Sequence, residues 1–389
     1  MPLHFYLKDY FKKNKKHGSK DRKLISALCY DYFRLGHALK NIPVEERILV
    51  GFFLCEQTTS EFLQSLKPEW NGIITKPVIE KLLIGNRQLE IENIFPFGGE
   101  LSNDVDYKKL SFSFLNQPNL FIRARPGFGK DVIQKLQTAS IKYKIISEDC
   151  IALPNSSKID AVIDLDKEAA VQDYNSQRVG EFINLAIGPE SYGEQSEINV
   201  WDCCAASGGK SIMAYDINPF INLTVSDKRK SILQNLQQRF TKAGIKNYTS
   251  FVSDLSGVQV AYSAPTCWDH NTGLNDKEYN LIIADVPCTG SGTWARTPEQ
   301  LFYFDKNQIK KYSALQKQIV TNVILHLKPG GYLLYITCSV FKKENEEVVD
   351  FIREKFPMNL IKTELLKGYE MKADTLFAAL FLYPKKLLT

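Results

Sequence analysis

This 389-residue chain has no hydrophobic run long enough to cross a bilayer. Its longest apolar stretches, such as Ile48 to Cys55, fall far below the roughly 18 residues a span requires. The first residues reach Lys8 and Asp9 without an apolar secretory core, which predicts a chain that is not exported. Cysteine is sparse and unpaired in spacing: eight residues in a chain this long form no disulfide scaffold, and paired CxxC zinc clips are missing. A reduced cytoplasmic monomer without metal is therefore expected. Nor is there a large excess of one charge, since 49 Lys and Arg stand against 44 Asp and Glu, for a net charge of +5. What remains is ordinary: 44% hydrophobic and 24% charged residues, with 22 Gly and 16 Pro, exclude a disordered, collagen-like or low-complexity protein.

The small net charge conceals a local cluster. Between Leu7 and Lys23 there are eight basic residues (Lys8, Lys12, Lys13, Lys15, Lys16, Lys20, Arg22 and Lys23) against Asp9 and Asp21. Such a run is either a solvated face or a phosphate-contacting patch.

Residues 1 to about 100 show helical spacing, as in Leu24, Leu28 and Tyr32, punctuated by Pro43, Pro68, Pro77 and Pro96 and closed by Gly98-Gly99. From 101 to 165 the pattern is mixed. Strands are expected at Leu120 to Arg125, Ile141 to Ile146 and Cys150 to Leu153, with a helix at Lys130 to Thr138. From 166 to 389 apolar strands alternate with amphipathic helical stretches, which predicts a doubly wound parallel sheet. Phe377 to Tyr383 is expected to form an antiparallel edge. In such sheets ligands bind at the carboxyl ends of the strands.

The first of these strands runs into Asp202-Cys203-Cys204-Ala205-Ala206-Ser207-Gly208-Gly209-Lys210-Ser211. Paired glycines between strand and helix let backbone N–H groups approach a ligand. The rival P-loop reading fails, because the glycine it needs would fall at Cys204. The second strand ends at Asp227, placed for ribose hydroxyls, and the third is followed by Asp254, placed for an adenine amino group. The fourth leads into Asp285-Val286-Pro287-Cys288, and the fifth into Thr337-Cys338-Ser339, with Glu344-Asn345-Glu346 beyond. Two thiols at neighbouring strand ends, one close to an Asp, suit pyrimidine chemistry. Carbon 5 of cytosine is a poor nucleophile until a thiolate adds to carbon 6, and a carboxyl group at N3 assists that addition. Amino-group methyltransferases carry an aromatic residue and a second proline where this chain has Val286-Pro287-Cys288, which argues against nitrogen as acceptor.

At these residues the chain resembles the Sun-type (RsmB/Fmu-like) RNA cytosine-5 methyltransferases. The motifs are VQDYNSQ (171–177), DCCAASGGKS, DVPCTGSGTWARTPE (285–299) and TCS with ENE (337–346). The resemblance implies a Rossmann-like α/β methyltransferase domain over 166–389, a small α/β RNA-recognition-like module over 101–165 and an all-helical NusB-like RNA-binding domain over 1–100. It implies S-adenosyl-L-methionine as cofactor, bound by Cys204, Ala205, Ala206, Ser207, Gly208, Gly209, Lys210, Asp227, Asp254 and Asp285. It makes Cys338 the nucleophile, Cys288 the group assisting release, and Asp285 the contact to cytosine, with Lys210 alongside. RNA is the implied partner, small-subunit rRNA first and tRNA as the alternative, contacted by Lys12, Lys13, Lys15, Lys16, Arg123, Arg125, Lys210 and Arg296. Ser207 stands where the family has proline, which is expected to loosen the turn, and Thr297 stands where it has Asn. An RNA-binding assembly factor that has lost catalysis is the competing function.

Overall fold

The computed structural model describes residues 2–85, 89–188, 197–257 and 278–385, which fall into two compact units. The helical unit comprises residues 1–118 together with 291–306 and 369–372. Its main helices are Leu3–Lys13, Ser19–Arg34, Val44–Cys55 and Val78–Gly85. The unit does not close at Gly98-Gly99, as the glycine pair suggested. A further helix, Tyr107–Ser113, buries Leu110, and Phe114 beyond it stacks on Phe95 with ring centroids 5.7 Å apart. Residues 291–306 supply buried Trp294 and Leu301 to the same unit. Arg34, itself buried, gathers the carbonyls of Phe114, Asn116 and Ala295 at 2.9–3.1 Å.

The second unit holds two sheets. The smaller consists of β1 (Leu120–Ala124), β2 (Lys144–Ile145), β3 (Cys150–Leu153) and β4 (Ala169–Val171) in the order β2-β3-β1-β4, antiparallel throughout. Ile122, Ile151 and Leu153 pack on Val132 and Leu136 of the helix Gly129–Thr138. Because β4 belongs to this sheet, the module runs past residue 165.

The larger sheet contains β5 (Ile198–Asp202), β6 (Ile221–Asp227), β7 (Tyr248–Val252), β8 (Tyr279–Asp285), β9 (Leu327–Thr337), β10 (Asn359–Leu366) and β11 (Leu376–Leu382). Its order is β10-β11-β9-β8-β5-β6-β7. Strands β5 to β9 pair in parallel, whereas β11 runs antiparallel to both neighbours. This is the expected Rossmann-like sheet, with one difference: β11 is interior and β10 is the edge. An apolar run buried on both faces suits an inner strand. The outer strand β10 instead alternates exposed and half-buried residues and carries Lys362 and Glu364, charges that blunt an edge.

Candidate active site

The turn after β5 is shaped by packing. Gly208 has φ +84°, and a Cβ there would lie 2.8 Å from Phe240 and 3.0 Å from Leu236. Glycine thus permits both the left-handed backbone and the close approach of the helix Lys230–Ala243. Ala206 is also left-handed, with φ +46°, and its N–H donates to Asp227 Oδ2 at 3.0 Å. Ser207 is tied into the turn by side-chain contacts. Arg239 donates to its carbonyl at 2.9 Å and to its hydroxyl at 3.1 Å while pairing with Asp166 at 2.7 Å.

Around this turn opens a cavity of ≈ 640 Å³ whose polar lining includes Cys204, Asp227, Asp254 and Asp285 and whose apolar lining includes Leu255 and Ile319. Asp227 is buried, with Oδ1 accepting from the Arg229 N–H at 2.8 Å. Lys228, 2.6 Å from Asp254, holds that carboxyl down at about 2, aided by Ser256. Three carboxylates beside an apolar slot suit a ligand with hydroxyl and amino donors on an apolar ring, which is the chemistry of an adenosyl group. Ala205, Ser207 and Gly208 build the turn and Gly209 and Lys210 open the helix Gly209–Ile217, while Cys204 and Ala206 line the cavity.

On its far side the cavity reaches Cys288 and Cys338. Their sulfurs are 3.2 Å apart because β8 and β9 are adjacent and parallel, so the residues that follow them meet. The Cys338 sulfur beside it, followed by burial, pushes the Cys288 thiol well above its usual range. Lys210 Nζ donates to Asp285 Oδ2 at 3.1 Å and to Ser176 Oγ at 2.8 Å. Ser176 lies in the VQDYNSQ stretch, and its hydroxyl was the group that sequence reasoning missed there. Asp202, at the end of β5, does not line the cavity. It is fully buried, which pushes its carboxyl up to about 7 against the bond donated by Ser211 Oγ at 2.6 Å.

The residues assigned to RNA divide sharply. Lys12, Lys13, Lys15 and Lys16 are exposed on the helical unit, together with Phe5, Tyr6 and Tyr10, and none of the four lysines forms an ion pair among the described residues. Arg296 also belongs to that unit and is half-buried. Arg123 and Arg125, in contrast, do not face RNA. Both are buried, and both pair with buried Asp216 at 2.7 Å. Arg125 donates in addition to the Ala243 carbonyl at 2.9 Å, at the end of its helix. Alternation along β1 puts Ile122 into the module's core and these two guanidinium groups on its other face, where they fasten the small sheet to the larger domain. Lys210 is likewise buried and committed to Asp285 and Ser176.

Among the described residues no helix is long and apolar enough to cross a membrane, and no group of three or more potential metal ligands gathers.

A family model described as 16S rRNA methyltransferase RsmB/F matches residues 192–387. The chain is 24% identical over 390 residues to a probable ribosomal RNA small subunit methyltransferase B of Coxiella burnetii, covering 91% of this chain and 88% of that one. It is 31% identical over 198 residues to ribosomal RNA small subunit methyltransferase B of Erwinia tasmaniensis, which is 50% of this chain but only 40% of that protein. Among solved structures, the crystal structure of PH0851 superposes with a TM-score of 0.67 at 18% identity, over 96% of this chain and 93% of the other. That likeness establishes the fold.

Proposed function

Given that this chain belongs to the RsmB/F family of 16S rRNA methyltransferases, we propose that it methylates carbon 5 of a cytosine in small-subunit rRNA through a covalent adduct to Cys338. S-adenosyl-L-methionine is the cofactor and supplies an electrophilic methyl group. Asp227, Asp254 and the Cys204–Ala206 backbone are the groups that would hold it, as their acceptors match its hydroxyl and amino donors.

One observation carries the reading: two thiols 3.2 Å apart at the ends of adjacent strands, beside a Lys–Asp pair. The two sulfurs are within hydrogen-bond reach, so whichever thiol holds its proton can stabilise a thiolate on the other. The resemblance of the TCS segment to the family's makes Cys338 the thiolate that attacks carbon 6 in this scheme. Asp285, its carboxyl oriented by Lys210, gives a proton to N3 as addition of the thiolate puts electron density there, and takes it back when the adduct breaks down. The ring becomes an enamine whose carbon 5 is nucleophilic. Once Cys338 is a thioether its charge no longer opposes ionisation of Cys288. Cys288 then loses its proton to water, accepts the carbon-5 proton, and lets the Cys338–carbon 6 bond break. The base must leave its stack to reach these groups, so a loop or junction nucleotide is the fitting target. The exposed Lys12, Lys13, Lys15 and Lys16, flanked by aromatic rings, suit the surrounding RNA.

Denaturing gels of enzyme incubated with cofactor and RNA test the scheme. C338A should form neither product nor adduct, and C288A should accumulate a covalent RNA–protein band. Methylation by C338A at the wild-type rate would refute it.

A further inference from the structure

Glu344 is fully buried and does not line the cavity, yet its carboxylate joins the segments that carry both thiols. Thr289, which follows Cys288, donates its N–H to Oε1 at 2.9 Å and its hydroxyl to Oε2 at 2.6 Å. Gln316 Nε2 donates to Oε1 at 3.2 Å and to the carbonyl of Pro287, which precedes Cys288, at 3.0 Å. Ser339, which follows Cys338, also hydrogen-bonds the Glu344 side chain. The Glu344 backbone is fixed in turn, its carbonyl accepting from Tyr335 OH at 2.6 Å. Asn345 closes the same loop, accepting from Thr337 Oγ1 at 2.6 Å and donating to the Ser339 carbonyl at 2.9 Å.

Burying a carboxylate is costly unless its lone pairs are filled, and burial does raise the Glu344 carboxyl above its usual range. Here the oxygens take hydrogen bonds from both sides of the thiol pair, so the group acts as a geometric tie. We propose that Glu344 is a positioning residue that clamps the Cys288 and Cys338 segments together and thereby sets how fast Cys288 releases the product. The role in release rests on the cytosine mechanism above, whereas the clamp itself does not.

The test therefore has two readouts. The first is RNA-independent: diamide converts the two thiols to a disulfide, taking up two electrons and two protons as it becomes a hydrazine, and peptide mapping follows the Cys288–Cys338 bond. The second is the covalent RNA adduct on a denaturing gel. E344A should slow disulfide formation by up to about 10²-fold, the scale of a displacement near 1 Å at a reacting centre. It should also accumulate adduct as C288A does, while S-adenosylhomocysteine binding and circular dichroism stay at wild-type values. E344Q, isosteric and still an acceptor, should restore most of both. Should E344A fail to fold, T289V removes one donor and should shift both readouts in the same direction by less. Wild-type disulfide and release rates in whichever of these variants folds would overturn the clamp. Slow disulfide formation with no adduct even in C288A would leave the clamp standing and sink the cytosine mechanism.

Discussion

The charge state of Asp202 shows how strongly the strand ends are perturbed. Its carboxyl is buried under the turn, with Oδ1 unpartnered, and desolvation lifts it from 3.8 to about 7. A folded-state value above the unfolded one means that the native state binds the extra proton. The stabilisation is therefore complete below about 4 and is lost as pH rises through about 7. Urea unfolding at pH 5 and pH 8 should show wild type losing stability relative to D202N across that window; a constant difference would exclude the shift. Single residues were partly legible in the sequence. Cys288, Cys338 and Asp285 announce themselves because their types and strand-end positions carry chemistry. Ser176 and Gln316 do not, because a serine or glutamine on a helix reads the same whether it meets solvent or a buried lysine or carboxylate.

Secondary-structure elements show where alternation informs and where it misleads. Strand β1 was expected from its sequence, but Arg123 and Arg125 were assigned to RNA when they bind Asp216. A strand pattern fixes which residues share a face and says nothing of what that face meets. Removing Asp216 should leave two buried guanidinium groups unpaired. D216A should accordingly lose about 3–5 kcal/mol of stability in denaturant unfolding, the usual cost of breaking a buried pair. A loss within experimental error would show that the pair does not fasten the module. β11 teaches a related lesson. Its continuous apolar run marked a buried strand, whereas its interior place follows from β10, whose mixed polar and apolar residues form no such run.

At the scale of the whole molecule, the alternation of strands and helices made the methyltransferase sheet legible, and the parallel strands end in residues that line one cavity. Domain membership was less so. Residues 291–306 follow Cys288 closely in sequence but pack within the helical unit, and local pattern carries no information about such long-range burial. Charge distribution told more than net charge. Lys12, Lys13, Lys15 and Lys16 are exposed and unpaired among the described residues. Replacing all four with Gln should weaken RNA binding and reduce the slope of log affinity against log salt by roughly 3, at about 0.7 per phosphate contact on single strands. Cofactor affinity should not change; an unaltered slope would make the cluster a merely solvated face. The central claim, that this chain makes 5-methylcytosine in RNA through Cys338, meets its most direct test in bisulfite sequencing of RNA from a strain lacking the gene. One protected cytosine in small-subunit rRNA should disappear, returning with the wild-type gene and not with the C338A allele. An unchanged pattern in the deletion strain, or full restoration by C338A, would contradict it.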